Sequence, residues 1–341
     1  MTFVPSREML LRWALLLALL LAVGVGACHG SPTGAASIAP ADAAPVPSAS
    51  SLSTMPKDAG PPAFDPGDPA FVADPESFTP KLPARPGDWL ARFPETGTTF
   101  EEYARSNPVG RTAQRNKLVL QPLGAFSDDE RELLEKLREY TSVVFDCPVV
   151  LAPPLPLPSK GRRKRAEDGR TWTQHHTEVI LHEVLAPRLP EDAIATLGIT
   201  MSDLYPQASW NFVFGEATLD KRVGVYSLAR YFPAFTGEKA TPAARRLGVL
   251  RSFKVLSHEA GHMFSLHHCA RFECLMNGSN SLDEMDRSPA YECPVCLKKL
   301  GWNLRFDVRA RYRLLLGIYQ REGLTDLARW VEARLQKIDP R

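Results

Sequence analysis

The feature that most constrains the fold of this chain is a pair of histidines on a segment with a strong helical pattern. Apolar residues follow one another along this segment at alternating spacings of four and three: Val249, Phe253, Leu256, Ala260 and Met263. This alternation places them on one continuous stripe of a helix. His258 and His262 lie four residues apart on the same segment, so both imidazoles share one face, about one turn apart. We therefore predict a helix over residues 247–264 that offers two nitrogen ligands to one ion.

Two further residues extend this pair to a complete catalytic metal site. His268 comes six residues after His262, where a continuing helix would not present it on the same face. The chain must therefore turn back to supply His268 as a third ligand. Three neutral imidazoles leave the full charge of a zinc ion acting on a water molecule, which then ionises near neutral pH. Glu259 is displaced around the helix, so it can accept the proton as a general base while a polarised carbonyl is attacked.

Four cysteines follow the third histidine as two short-range pairs: Cys269 with Cys274, and Cys293 with Cys296. Two such pairs are typical of a closed structural zinc site. Disulfides are the alternative if the protein is exported, because it then meets an oxidising compartment. We favour zinc, since a metal bound during folding would protect the thiolates. Cys147 lies apart from this group, and we expect it to be a buried small apolar residue.

The sequence around the histidines resembles the extended zinc motif of the metzincins, and its continuation is similar to the archaemetzincin family. The residues on which this resemblance rests are His258-Glu259-x-x-His262-x-x-Ser265-x-x-His268-Cys269, then Cys274-Leu275-Met276, then Cys293-Pro294-Val295-Cys296. Upstream, residues 198–205 and 210–215 also resemble this family. The resemblance covers residues 116–302.

The resemblance implies an α/β (α+β) fold in which a twisted mixed sheet packs on helices. The active-site helix would lie under the cleft, followed by a C-terminal zinc-cysteine subdomain and further helices. Met276 would be the Met-turn residue, an apolar floor beneath the imidazoles. The four cysteines would hold a structural zinc ion, giving two Zn²⁺ per chain. The expected activity is that of a zinc metallopeptidase, with a peptide or protein as substrate.

The sequence departs from the metzincin pattern at Ser265, where the motif has glycine. Glycine allows the backbone to leave the helix with a positive φ. Serine in that conformation costs on the order of 1 kcal/mol, against roughly 10 kcal/mol or more for zinc binding. The substitution leaves His267 as an alternative third ligand. It also leaves an alternative function, that of a catalytically weak, zinc-stabilised surface module that binds without cutting.

The first residues of the chain predict export and a lipid anchor. Arg7 and Arg12 precede an apolar run over residues 13–25, which is shorter than the roughly 20 residues of a comfortable membrane span. Val25-Gly26-Ala27-Cys28 then resembles a bacterial lipobox, in which Cys28 is lipidated. We therefore expect residues 1–28 to be a lipoprotein signal peptide and the protein to be a membrane-anchored lipoprotein on the periplasmic or cell-surface side. An ordinary signal peptide and a single-span anchor are the alternatives.

Composition separates a tether from a folded domain. The chain has 30 prolines, many of them before residue 95, in a stretch rich in Ala, Pro and Ser that cannot bury enough apolar surface to fold. We expect residues 29–95 to be a disordered tether and residues 96–341 to be the peptidase domain. Lys and Arg number 41 against 39 Asp and Glu, a net charge of +2, which does not suggest a nucleic-acid partner.

Within the domain we expect strands at 117–120, 143–151, 197–201, 211–214 and 223–227. The first two would be adjacent and parallel, joined through a helix that begins at Asp128. Residues 211–214 are the candidate sheet edge for an extended peptide. The basic run at 160–165 is expected to be a solvated loop, with contact to an anionic surface as the alternative. Helices at 308–319 and 325–338 complete the C-terminal part.

Overall fold

The structure is a computed structural model, and it describes residues 63–167, 169–237 and 239–339. The predicted signal peptide, Cys28 and the part of the tether up to residue 62 lie outside the described residues. Over the ranges that are described, no helix has the length and apolar character that crossing a bilayer requires.

A five-stranded mixed sheet forms the centre of the fold, in the order β2-β1-β5-β8-β7. Its strands are β1 (Lys117–Leu123), β2 (Val149–Leu151), β5 (Ala193–Thr200), β7 (Gly215–Ala217) and β8 (Val223–Ser227). All eight residues of β5 are buried, as expected of a central strand covered on both faces. Three of the four strand pairs in this sheet are parallel, and the pair of β7 with β8 is antiparallel. The strand order places β7, which has three residues, at one edge of the sheet.

The connection from β1 to β2 is the helix α3 (Asp128–Val144), and the two strands are adjacent and parallel as predicted. Ser127 and Glu130 form a reciprocal capping box at its start. The predicted strand over 143–151 is wrong in its first half, because α3 runs to Val144 and only Val149–Leu151 is extended. Val143 and Val144 are buried on the helix, so their apolar character reflects helix packing and not a strand.

A second sheet of three strands, β3-β4-β6, lies in the segment where a loop was expected. Its strands are β3 (Arg162–Glu167), β4 (Arg170–His176) and β6 (Asp203–Tyr205). The basic residues 162–165 are therefore part of a β-hairpin and not of a loop. Arg163 explains why a strand forms from such polar residues: it bonds Gln174 across the hairpin and the carbonyl oxygens of Ala208 and Trp210.

The histidine-bearing helix is α6 (Pro242–Met263), which confirms the predicted helix and extends it toward the N-terminus. Thr241 caps it by accepting a hydrogen bond from the Ala244 N–H. The remaining helices are short or C-terminal: α1 (Trp89–Arg92), α2 (Phe100–Arg105), α4 (Thr177–Val179, continued by a π-helical Ile180–Leu185), α5 (Pro233–Thr236), α7 (Leu282–Arg287), α8 (Pro294–Leu304), α9 (Val308–Arg321) and α10 (Thr325–Ile338). The two predicted C-terminal helices are thus present.

Residues 63–95, expected to be the end of the tether, pack against the C-terminal helices. Ala70 and Phe78 are buried. Asp68 pairs with Arg309, and Asp74 pairs with the buried Arg334. The high proline content of this segment suggested a tether. It hid the fact that a few of its apolar side chains are buried and that its aspartates pair with arginines far along the chain.

Candidate metal centre and active site

Three histidines converge at the end of α6. His258, His262 and His268 each offer a ring nitrogen, and these atoms all lie within 4.8 Å of one another. The Nε2 atoms of His258 and His262 are 3.0 Å apart. Nitrogens bound tetrahedrally at about 2.1 Å from zinc would be about 3.4 Å apart, so the cluster fits a zinc ion after small adjustments. His267, the alternative ligand, is exposed and is not part of this cluster.

Each of these imidazoles has an oxygen partner at Nδ1. His258 faces the carbonyl of Leu275 at 2.9 Å, His262 faces the carbonyl of Leu266 at 2.7 Å, and His268 faces a carboxylate oxygen of Glu95 at 2.9 Å. A carbonyl oxygen can only accept, so the proton of a neutral ring lies on Nδ1 and leaves the Nε2 lone pair free for a metal. Burial lowers the pKa of His258 to about 3 and holds that of His262 well below its usual range, which keeps both rings neutral.

The turn after α6 is a Schellman motif with serine in the position where glycine is usual. The Ser265 N–H donates to the His262 carbonyl at 2.8 Å, and the Leu266 N–H donates to the Gly261 carbonyl at 3.1 Å. Ser265 has φ +63°, the left-handed conformation that the motif requires. Its hydroxyl donates to the Leu219 carbonyl at 2.7 Å and accepts from the Val109 N–H at 3.1 Å.

Glu259 lies beside the histidines and against the edge strand of the sheet. Its side chain is buried, and a Cβ atom added to Gly215 would be 2.6 Å from its Oε1. Burial raises the pKa of Glu259 to about 8, and the negative charge of Glu216 adds to the rise. The positive charge of a bound zinc ion would act in the opposite direction. No described residue donates a hydrogen bond to this carboxylate, so it is available to a reactant.

A pocket of about 540 Å³ opens onto this centre. One wall of this pocket consists of residues 94–98, and the other contains Ala217 and Leu219 at the end of β7. His262 and His268 also line the pocket. The edge strand is therefore Gly215–Ala217 and not residues 211–214. Val213 forms only an isolated bridge to Leu204 in that stretch.

Met276 packs beneath the histidine helix. It is 1% exposed, and a Cβ atom added to Gly261 would lie 2.6 Å from its sulfur. Glycine at position 261 thus permits the close approach of the methionine. Asn277 holds the same turn, since its amide donates to the Cys269 carbonyl at 2.7 Å and its oxygen accepts from the Cys274 N–H at 2.9 Å.

The four cysteines form a second cluster, buried next to the first. The sulfur atoms of Cys269, Cys274, Cys293 and Cys296 all lie within 4.8 Å of one another, and all four residues are free thiols. The sulfurs of Cys269 and Cys293 are 3.7 Å apart, close to the roughly 3.8 Å expected for thiolates bound tetrahedrally to zinc at about 2.3 Å. Hydrogen bonds from the other three cysteines, Cys274 first, lower the pKa of Cys269. Cys147 is buried elsewhere in the core, as predicted.

Sequence reasoning missed two residues that shape the site. Glu95 lies in the segment that was assigned to the tether, and nothing near it in the sequence connects it to His268. Gly215 is one glycine among 22, and its role is visible only when β7 is placed over Glu259. The indication available in the sequence was its place at the end of residues 210–215, which resemble the archaemetzincin family.

The mixed sheet, the histidine helix with its glutamate and the two clusters that could each hold a metal ion are those of a zinc metallopeptidase. Comparison with known proteins agrees, since a family model described as Peptidase family M54 matches residues 183–301. The chain belongs to the archaemetzincin family, which confirms the resemblance drawn from its motifs.

Two curated relatives and one solved structure are similar to this chain, and the first of the relatives shows the membership. Archaemetzincin-2 of Pongo abelii is 34% identical over 275 residues, which cover 72% of this chain and 76% of that protein. Archaemetzincin-1 of Homo sapiens is 32% identical over 288 residues, covering 74% of this chain and 57% of that protein. Among solved structures, archaemetzincin from Methanopyrus kandleri is 28% identical and covers 57% of this chain and 99% of its own, with a TM-score of 0.45.

Proposed function

We propose that the protein hydrolyses peptide bonds at a zinc ion held by His258, His262 and His268, with Glu259 as the general base. The observation that carries this proposal is the convergence of three Nε2 lone pairs beside a buried carboxylate without a hydrogen-bond donor. Zinc, when bound, would supply a Lewis acid that polarises a carbonyl and acidifies water.

The chain's own residues have separate tasks in this proposal. Glu259 takes a proton onto its carboxylate from the attacking water and returns it to the leaving amine. Burial supports this role, because it keeps the pKa of the carboxylate from falling so low that it could not hold a proton. The Nδ1 contacts of the histidines hold the rings so that little reorganisation is needed during the reaction.

The substrate is proposed to be an extended peptide that adds to the free edge of β7. Strand addition supplies backbone hydrogen bonds and places the scissile carbonyl above the histidines. The pocket between residues 94–98 and the end of β7 then receives a side chain on one side of the scissile bond.

The four-cysteine cluster is proposed to hold a second, structural zinc ion, giving two ions per chain. The burial of all four cysteines suits a closed site. Zinc analysis checks this directly: two ions per chain are expected, falling to one in a Cys274→Ser variant that still folds. One ion in the unaltered protein, with two disulfides, would contradict it.

Export and lipidation at Cys28 are also part of the proposal, with the peptidase domain held off the membrane by a tether. The support is the sequence of residues 1–28 and the composition that follows it. In cells given labelled fatty acid, the protein should carry label and fractionate with membranes, and Cys28→Ser should lose both. Label that persists in the variant would rule this anchor out.

The proposed function is tested by asking whether peptide cleavage requires zinc. The purified full chain is stripped of zinc, assayed on a mixture of peptides by mass spectrometry, and assayed again after zinc is restored. We expect cleavage to disappear and return, and to be absent in His262→Ala at any zinc concentration. Cleavage that survives zinc removal would exclude the proposed site. Zinc binding without any cleavage would leave the alternative of a catalytically weak binding module, which the intact Glu259 does not favour.

A further inference from the structure

The third histidine differs from the other two in how it is oriented. His258 and His262 donate to main-chain carbonyls of Leu275 and Leu266, which belong to the turns around the site. His268 instead contacts the side chain of Glu95, whose oxygens lie 2.9 Å and 3.2 Å from Nδ1. The two residues are 173 positions apart, so this contact depends on the docking of the N-terminal segment.

Glu95 is itself held in place by Trp89. The indole N–H of Trp89 donates to Glu95 Oε1 at 3.1 Å, and the indole ring packs edge-on against His268 with centroids 5.0 Å apart. The backbone N–H of Trp89 is in turn bound by Glu284 of α7 at 2.9 Å. The carboxylate therefore meets the imidazole from a fixed direction and not as a mobile surface group.

The backbone near Glu95 also approaches the third histidine closely. Gly97 has φ +66°, and a Cβ atom added there would lie 3.1 Å from the His268 carbonyl oxygen and 3.2 Å from the Ala270 nitrogen. The segment from Glu95 to Gly97 is thus fitted against the loop that carries His268. This loop follows the left-handed turn at Ser265 and is the least regular part of the histidine cluster.

We propose that Glu95 is a positioning residue for the metal centre, which fixes the tautomer and orientation of His268 so that its Nε2 faces the ion. A carboxylate that accepts from the second nitrogen of a ligating histidine also increases the basicity of the ligand. The segment around Glu95, which lies before the range 116–302 that carries the family resemblance, thereby completes the catalytic zinc site. This inference rests on the proposed role of His268 as the third ligand.

Zinc affinity of the full chain provides the test, by competition with a chromophoric chelator. Thiol reactivity reports the cysteine cluster separately, so a change can be assigned to the histidine site. Glu95→Ala should weaken zinc binding at the histidine site about 10- to 100-fold, the range observed when such partners are removed. Glu95→Gln should fall between this variant and the unaltered protein, because its amide oxygen can still accept while the charge is lost.

Glu101→Ala is the matched control, since Glu101 is an exposed glutamate of the same segment, on α2, and should leave zinc affinity unchanged. If Glu95→Ala fails to fold, the isosteric Glu95→Gln carries the test alone. Unaltered zinc affinity in the folded Glu95 variants, with a large loss in His268→Ala, would overturn the inference and leave the proposed ligand set intact. Unaltered affinity in His268→Ala would instead overturn the ligand set itself.

Discussion

At the residue scale, Ser265 shows how a side chain can compensate for a backbone conformation that usually belongs to glycine. Its φ of +63° costs about 1 kcal/mol relative to glycine. Its hydroxyl, however, joins the Leu219 carbonyl and the Val109 N–H, and each such bond contributes about 1 kcal/mol. The departure from the motif therefore does not displace His268, which lies in the cluster with His258 and His262.

This balance predicts an order of stabilities for two substitutions. Ser265→Ala keeps the backbone cost and loses both hydrogen bonds, so it should lower the free energy of unfolding by about 2 kcal/mol. Ser265→Gly loses the same bonds but recovers the backbone cost, so the loss should be about 1 kcal/mol. Urea unfolding of the zinc-loaded proteins measures both values. An alanine variant more stable than the glycine variant would show that the left-handed backbone carries no such cost, and an alanine variant as stable as the unaltered protein would show that the hydroxyl contacts do not offset it.

Substitution of Gly215 should impair catalysis without changing zinc binding. Gly215→Ala would place a methyl group 2.6 Å from the Glu259 carboxylate and force this carboxylate, the proposed base, to move. We expect kcat to fall at least about 100-fold, as when a general base is misplaced, while zinc content stays unchanged. Steady-state kinetics and zinc analysis on the same preparation check this. Full activity in the variant would mean that Glu259 does not act from the position seen here.

At the scale of elements, the hairpin of β3 and β4 orders the chain that leads into the edge strand. Arg163 bonds the carbonyls of Ala208 and Trp210, and its guanidinium lies 3.8 Å from the centroid of the Tyr205 ring. A run of basic residues is usually solvated, so the sequence favoured a loop. The strand arises because one arginine of the run finds main-chain acceptors that lie about 45 residues away, which local pattern does not reveal.

Loosening this element should affect substrate binding more than chemistry. Arg163→Ala removes the bonds to the loop before β7, and we expect KM for a peptide to rise about tenfold, equivalent to about 1.4 kcal/mol, with kcat nearly unchanged. Arg162→Ala is the control, because Arg162 is the exposed neighbour on the same strand. Equal effects of the two substitutions would indicate a general charge effect and not positioning of the edge strand.

The elements with a regular apolar pattern were the most predictable. The histidine helix and the parallel pair β1 and β2 followed from periodicity and from a single crossover helix. Residues 143–144 were misassigned because a β-branched apolar run is the same in a buried helix end as in a strand. The edge strand was placed four residues early because Gly215–Ala217 has almost no apolar character of its own.

At the scale of the whole molecule, the N-terminal segment joins the C-terminal helices to the active site. Asp74 bonds Lys337 and the buried Arg334 at one end, and Glu95 contacts His268 at the other. Composition alone placed this segment in the tether, since its prolines outweigh its few buried residues. Its docking depends on charge pairs between residues about 260 positions apart, which a single sequence does not disclose.

These pairs predict a pH dependence for the docking of the segment. Burial by itself would raise the pKa of Asp74, but hydrogen bonds from Lys337 and Ser77 and the nearby Arg334 outweigh it and hold the pKa below 3.8. The stabilisation is therefore present in full above pH 3.8 and is lost as the pH falls through the lowered value.

Asp74→Asn should accordingly cost about 2 kcal/mol of local stability at pH 7, and the difference from the unaltered protein should shrink as the pH falls below 3.8. Amide hydrogen exchange over residues 69–78, corrected for intrinsic rates, provides the measurement. Glu76→Gln is the control, because Glu76 pairs with the same Lys337 but is 82% exposed, and its effect should be below about 0.5 kcal/mol. A difference for Asp74→Asn that grows on acidification would contradict the assigned pairing.

The central claim is that a zinc ion held by three histidines acts together with Glu259 to hydrolyse peptides. The most direct test compares kcat/KM of the unaltered chain and of Glu259→Gln on one cleaved peptide, with both proteins shown to be fully loaded with zinc. We expect equal zinc content and a rate lower by on the order of 10²- to 10⁴-fold in the variant. Equal rates at equal zinc content would contradict it.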